Sequence, residues 1–212
     1  MQTFPRVYAI TPAAGSEESV KALTRQVAEL LDDGWLIQLR QKQWSARQTV
    51  EFLFQVKRRT TVEALGRLLI NGRCDIAMCA EKIGVHLPES GLPVDVARRL
   101  LGRDRLIGLS CHTEQGLAAA EQLGADFATI SPIFESPGKG PALGIESIRG
   151  MSIPTRMAVY GLGGIDPTTA KGLSGTGLHG VACIRAVFDA AEPSVAARSL
   201  EASFLAARSS QG

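Results

Sequence analysis

At 212 residues the chain is long enough for one large domain, and its 45% hydrophobic content supplies a sizeable core. The formal net charge of +2 comes without a basic stripe interleaved with aromatics, which argues against nucleic acid as a partner. No apolar run reaches the roughly 18 residues that would mark a membrane span. The start, Met1-Gln-Thr-Phe-Pro-Arg-Val-Tyr-Ala-Ile10, has no charged region leading into a long apolar one, so a cytoplasmic protein is expected. With only 5% aromatic residues, the core is expected to be built of Ala, Val, Leu and Ile, which suits parallel strands covered by helices. Cys74, Cys79, Cys111 and Cys183 show no Cys-x-x-Cys spacing, and His86, His112 and His179 are too dispersed for a local metal motif. The four thiols are expected to be buried small hydrophobes in a reducing compartment.

Strand and helix patterns alternate along the chain. Val7 to Thr11 reads as a short buried strand. Val20, Leu23, Val27, Leu30 and Leu31 then recur at helical spacing until Gly34 stops them. Leu36 to Arg40 is the second strand, and Val50, Leu53 and Phe54 mark the second helix. Leu68 to Asn71 is the third strand, followed by a short helical stretch near Ile76 to Ala80. Gly84 to Leu87, Leu106 to Ser110 and Phe127 to Ser131 are the next strands, with helices over Val96 to Leu101 and Glu114 to Leu123 between them. Met157-Ala-Val-Tyr160 and Val181 to Ile184 complete eight, and Val195, Leu200, Phe204 and Leu205 mark the last helix. Arg208 to Gly212 reads as a frayed tail. No linker interrupts the pattern, so residues 1–212 are expected to form a single domain. An eight-unit barrel and an open doubly wound sheet both alternate in this way, and the barrel is the preferred reading.

The stretch Met157-Ala-Val-Tyr-Gly-Leu-Gly-Gly-Ile-Asp-Pro167 is an apolar strand running into glycines and a helix start. Asp166 is a candidate N-cap and Pro167 a candidate first helical residue. Gly161, Gly163 and Gly164 remove side chains where a ligand could approach the backbone. Bare amides and the positive end of a helix attract phosphate, although such turns also occur for structural reasons alone. A barrel further demands that functional side chains lie at the carboxyl ends of strands. Gln38, Arg40 and Lys42 form a donor-rich cluster there, suited to an anion, against the commoner fate of two solvated charges. Asn71 would donate from the next strand end, or simply form the Asn71-Gly72 turn. Lys139, in Pro137-Gly-Lys-Gly-Pro141, is a cation on a glycine-hinged loop that could close over an anion or merely move at the surface. Cys111 and His112, adjacent on a strand, point to opposite faces and cannot form a catalytic pair. His86 reads as a hydrogen-bonded core or rim histidine, and His179, just before strand eight, as a surface residue.

The set Gln38-Leu-Arg-Gln-Lys42, Leu69-Ile-Asn-Gly-Arg-Cys-Asp-Ile-Ala77, Gly84-Val-His-Leu87, Ile107-Gly-Leu-Ser-Cys-His112, Gly124-Ala-Asp-Phe127, Ser131-Pro-Ile-Phe134 and Val159-Tyr-Gly-Leu-Gly-Gly-Ile165 resembles the thiamine phosphate synthase / TenI superfamily over almost the whole chain. The resemblance implies a single-domain (β/α)8 TIM barrel in thiamine biosynthesis. In the synthase branch, hydroxymethylpyrimidine diphosphate loses diphosphate and a thiazole phosphate nitrogen captures the methylene cation. By position, Gln38, Arg40, Lys42, Asn71 and Lys139 would hold the diphosphate, Ser110 would sit near the pyrimidine, and His86 and His112 would face the ligand. Gly163, Gly164, Ile184 and Arg185 would surround the thiazole phosphate. Partners are thus small phosphorylated heterocycles, with homo-oligomerisation open.

The chain departs from the family at the metal site. The resemblance implies Mg2+ held by two aspartates, where this chain has Gly72 and Gly91, leaving Glu89 as the one carboxylate close in sequence. Arg185 replaces a family serine. The TenI branch tautomerises a carboxythiazole phosphate and needs a general acid/base. The histidine the family places before the Val/Ile-Phe of strand six is Pro132 here, so a tautomerase would need a displaced base such as His86 or His112. A synthase-type transferase with a diverged metal site is the leading reading. The tautomerase is the alternative, and a non-catalytic binder of thiamine precursors or thiamine phosphate is a third.

Overall fold

A computed structural model describes residues 3–206 apart from Pro137 and Lys139. The loop cation Lys139 and the tail Arg208 to Gly212 therefore lie outside the described residues. The chain runs β1 (Val7–Ile10), α1 (Glu17–Asp32), β2 (Leu36–Leu39), α2 (Ala46–Lys57), α3 (Val62–Leu65), β3 (Leu68–Asn71), α4 (Cys74–Ala77), β4 (Gly84–Leu87) and α5 (Val94–Leu101). It continues through β5 (Ile107–Cys111), α6 (Glu114–Gln122), β6 (Phe127–Ile130), α7 (Ile145–Gly150), β7 (Ala158–Leu162), α8 (Pro167–Gly172), β8 (Gly180–Cys183), α9 (Arg185–Phe188) and α10 (Pro193–Leu205). All eight strands pair in parallel and in sequence order, and β8 closes onto β1. The closed barrel settles the choice against the open sheet.

Local chemistry starts the helices where the pattern places them. Ser16 caps α1 through a reciprocal box with Ser19, and Leu23, Val27, Leu30 and Leu31 form its buried face. Ser45 and Gln48 make the same box for α2. The buried face of α2 is Thr49, Phe52, Leu53 and Val56, which corrects the expectation for Phe54, exposed on the opposite side. Of the residues that mark α10 in the sequence, Leu200 and Phe204 are buried, while Val195 faces solvent.

The core has two layers of different chemistry. Between strands and helices it is mainly aliphatic, as composition suggests. The barrel interior adds aromatic rings to its aliphatic side chains: Tyr8, Phe127 and Tyr160 meet there with centroids 5.1–5.8 Å apart, and the His86 ring lies 5.7 Å from Phe127. A closed eight-strand interior must be filled, and the Phe127 and Tyr160 rings do so where Gly108 and Gly180 stand opposite them on neighbouring strands. Each such ring pair contributes about 0.5–1.5 kcal/mol beyond its area. Among the cysteines, Cys74, Cys111 and Cys183 are buried and free, and burial pushes the Cys111 and Cys183 thiols up to about 12. Cys79 is exposed on the turn after α4, contrary to expectation. His179 is half-buried at the amino end of the barrel, hydrogen-bonded to the Phe4 carbonyl oxygen at 3.0 Å, rather than a free surface residue.

Among the described residues, no helix is long and apolar enough to cross a membrane.

Candidate functional site

The carboxyl ends of the strands form a mouth with three groups of polar atoms. The first lies over β2 and β3. Gln38 points into the barrel, is almost fully buried, and its Nε2 stands 3.5 Å from Asn71 Oδ1. Arg40 follows the strand, its amide donating to Thr11 Oγ1 at 2.9 Å. Gln41 donates to the Pro12 carbonyl at 2.5 Å and accepts from the Ala14 amide at 3.0 Å, while Trp44 Nε1 donates to the Ala14 carbonyl at 2.7 Å. These bonds tie the loop after β1 to the loop after β2, so the backbone carrying Arg40 and Lys42 is held on both sides.

A cavity of about 430 Å³ opens beside this group, with Lys42, Asn71, Gly72 and Arg73 on its polar side and Leu39 and Ile70 on its apolar side. Thr49 of α2 and Ile76 of the single-turn α4 also border it. Gly72, at φ +67°, makes the turn out of β3 and donates its amide to the His86 carbonyl at 2.8 Å. Arg73 is a lining residue the sequence reading missed. Its fork is already engaged by Asp75, at 2.8 and 2.6 Å.

The second group is central. Asn71 pairs in register with His86, and His86 with Gly108. The His86 ring bridges Tyr8 and Ser110: Nδ1 is 3.0 Å from the Tyr8 hydroxyl and Nε2 is 3.0 Å from Ser110 Oγ. Burial, and secondarily the Arg40 charge, pull the His86 pKa down to about 3. The imidazole is neutral, and Arg40 lies near enough for its field to be felt there. His112 stands apart at the rim. Its Nδ1 is 2.7 Å from the Ser131 carbonyl, and Nε2 is 3.9 Å from Glu89 Oε2. Cys111, as expected, faces the opposite way into the helix–strand layer.

The third group lies over β7 and β8. Gly163 and Gly164 have φ of +108° and +65°, where a side chain is strained. They also let the loop after β6 approach: a Cβ at Gly164 would stand 2.7 Å from Phe134 Cβ. Asp166 is the N-cap and Pro167 the first helical residue, as the sequence indicates. Asp166 Oδ1 accepts from the Thr168 and Thr169 amides, both at 2.8 Å, so the helix end itself is already satisfied. The amides of Gly163, Gly164, Ile184 and Arg185 donate to no acceptor among the described residues. Arg185 is exposed and has no ion-pair partner among them.

The structure thus gathers Gln38, Arg40, Lys42 and Asn71 on one side, and Gly163, Gly164, Ile184 and Arg185 over a second pair of adjacent strands. His86 and Ser110 lie between, and His112 with Glu89 at the rim. Among the described residues, no three His, Cys, Asp or Glu side chains come together in a group that could hold a metal ion.

Comparison with known proteins identifies the family and the fold. The family model described as thiamine monophosphate synthase matches residues 7–187. A thiamine-phosphate synthase from Moorella thermoacetica is 38% identical over 77% of this chain and 79% of its own length. One from Vibrio parahaemolyticus is 34% identical over 92% and 96%. A solved thiamine phosphate pyrophosphorylase from Pyrococcus furiosus superposes with a TM-score of 0.77 at 26% identity, covering 98% of this chain and 97% of that one. A barrel that shares this fold, this length and these sequence matches with proteins so named belongs to the thiamine monophosphate synthase / TenI family.

Proposed function

We propose that this protein is a transferase that joins hydroxymethylpyrimidine diphosphate to thiazole phosphate and releases diphosphate, with the family's metal site diverged. The observation that carries the reading is the polar grouping at the ends of β2 and β3, where Gln38 lies 3.5 Å from Asn71, Arg40 follows Gln38 on the same strand end, and Lys42 and Asn71 line one cavity, separate from the unpaired amides over β7 and β8. Two anionic groups need two donor sets, whereas a tautomerase substrate carries one phosphate. When the carbon–oxygen bond breaks, its electron pair leaves with the diphosphate, and charge builds on the leaving oxygen. Arg40 and Lys42, carried on a braced loop, would stabilise that charge as it forms. Lys139 would join them by position. The Gly163, Gly164, Ile184 and Arg185 amides, with the Arg185 side chain, would hold the thiazole phosphate so that its ring nitrogen can donate its lone pair to the methylene carbon. Ser110 would face the pyrimidine.

The residues present do not fit a protein-held Mg2+. Gly72 and Gly91 offer no side-chain oxygen, and the Glu89 carboxylate lies over the first turn of α6 beside His112. No step is therefore routed through a metal bound by the protein. A second reading rests on His112, whose backbone bond leaves Nε2 facing Glu89 at the rim, an arrangement a displaced tautomerase base would need. His86 is unsuited to that role, since both its nitrogens are engaged.

The test is thiamine phosphate formation from the two purified substrates, with Mg2+ and with a chelator. Product that persists in chelator is the expected result. Product only with Mg2+ keeps the transferase and assigns the metal to Glu89 or to the substrate diphosphate itself. No product, with both substrates still binding by calorimetry, overturns the transferase and leaves the tautomerase or the binder, separated by an assay on carboxythiazole phosphate.

A further inference from the structure

We infer that Tyr8 and His86 act as a positioning pair that fixes the Ser110 hydroxyl as a hydrogen-bond donor toward the ligand in the mouth. The inference rests on the transferase reading for the identity of that ligand, an aminopyrimidine whose ring nitrogens are acceptors. Tyr8 is fully buried among Phe127, Tyr160 and the aliphatic side chains of the barrel interior. Its hydroxyl has one polar partner among the described residues, His86 Nδ1. A phenol hydrogen buried in such a place needs an acceptor, so the Tyr8 O–H donates to Nδ1. A neutral imidazole that accepts at Nδ1 carries its proton on Nε2. That N–H then donates to Ser110 Oγ at 3.0 Å.

Ser110 keeps its own hydrogen. No acceptor for it exists among the described residues, and Ser110 is half-buried near the end of β5, reachable from the mouth. The opposite tautomer would put a proton on Nδ1, strand the Tyr8 hydrogen in an apolar interior and draw the Ser110 hydrogen onto Nε2. Ser110 could then only accept. The tautomer of His86 thus decides whether the site recognises a ring nitrogen or an amino group, and Tyr8 decides the tautomer. Burial supports the same scheme by keeping the ring neutral, because an imidazolium could not accept from Tyr8. Thr129, the register partner of Ser110, adds a second observation. Its Oγ1 is buried without a partner, leaving another unmatched hydroxyl at the same level of the barrel.

The experiment is nitrogen NMR of the histidine side chains in the labelled protein, with the His86 signals assigned by their loss in His86→Gln. The expected result is a neutral ring protonated on Nε2, and protonation on Nδ1 overturns the proposal. Tyr8→Phe provides the functional arm. Its kcat/KM for the pyrimidine diphosphate is expected to fall about tenfold while affinity for inorganic diphosphate stays within about twofold. Equal losses in both, or none in either, would mean that Tyr8 is only core. Wild-type protein that forms product but carries Nδ1–H sinks the positioning pair alone. Wild-type protein with Nε2–H and no product sinks the transferase reading alone, and the NMR result stands even if Tyr8→Phe does not fold.

Discussion

Gly108 and His86 share one space. They are register partners on β5 and β4, and a Cβ at residue 108 would stand 2.7 Å from His86 Nδ1 and strike the Phe127 ring. The glycine is therefore what allows a histidine ring to lie in the interior and reach Tyr8. Gly108→Ala is expected to lose about 1–3 kcal/mol of stability through overpacking. Urea unfolding measures it, and a variant as stable as the wild type would show that the interior has slack this geometry denies.

The buried His86 also sets a pH dependence. Its pKa falls to about 3 in the folded state, from 6.5 in an unconstrained histidine, because burial disfavours the cation and the Arg40 charge adds to this. Tyr8 faces it as a neutral phenol. Below about pH 6.5 the unfolded chain takes up a proton that the folded chain refuses, so stability falls as pH drops from about 6.5 toward about 3. The slope from this one group is about 1.4 kcal/mol per pH unit. Unfolding free energies of wild type and His86→Gln measured across this range should converge as pH falls, because the carboxylates common to both cancel in the difference. A constant difference would mean that the ring is protonated in the folded protein.

Arg40 and Arg73 follow the neighbouring strands β2 and β3 but are held differently. No ion pair joins Arg40 to an acidic residue among the described residues, whereas both fork nitrogens of Arg73 are taken by Asp75. Arg40→Ala is expected to raise the Kd for inorganic diphosphate at least about tenfold, or 1.4 kcal/mol. Arg73→Ala should change it by less than about threefold. Calorimetric titration separates the two, and an Arg40→Ala variant that binds normally would remove the main support for a diphosphate site over β2 and β3.

How far the site can be read from sequence depends on how local it is. β3 and β4 are legible to the residue, because each apolar run is bounded by turn or polar residues. Gln38, Arg40 and Lys42 stand within five positions, so their grouping is visible without a fold. The Tyr8–His86–Ser110 chain is not, since its bonds join residues 78 and 24 positions apart and depend on which way each strand's side chains point. The aromatic interior is hidden for a similar reason: low aromatic content describes the average core, not the few positions that close a barrel. Arg73 had a signal, its place directly after the Asn71-Gly72 turn, but only the one-turn α4 reveals the cavity it lines.

Arg185 offers the last test. It opens α9, is exposed, and stands next to the unpaired amides over β8. A guanidinium beside a phosphate adds a charge-assisted bond where the family's serine adds a neutral one. Arg185→Ser is expected to raise the KM for thiazole phosphate about fivefold to tenfold at low salt and to leave the KM for the pyrimidine diphosphate unchanged. Because the group is exposed, the difference should shrink as salt rises to about 1 M, where screening acts over about 3 Å. A loss that ignores salt would mean Arg185 shapes the loop rather than holding the phosphate. A loss on the pyrimidine side would place the two phosphate sites the other way round, with the diphosphate over β7 and β8 and the cations over β2 and β3 left to the thiazole.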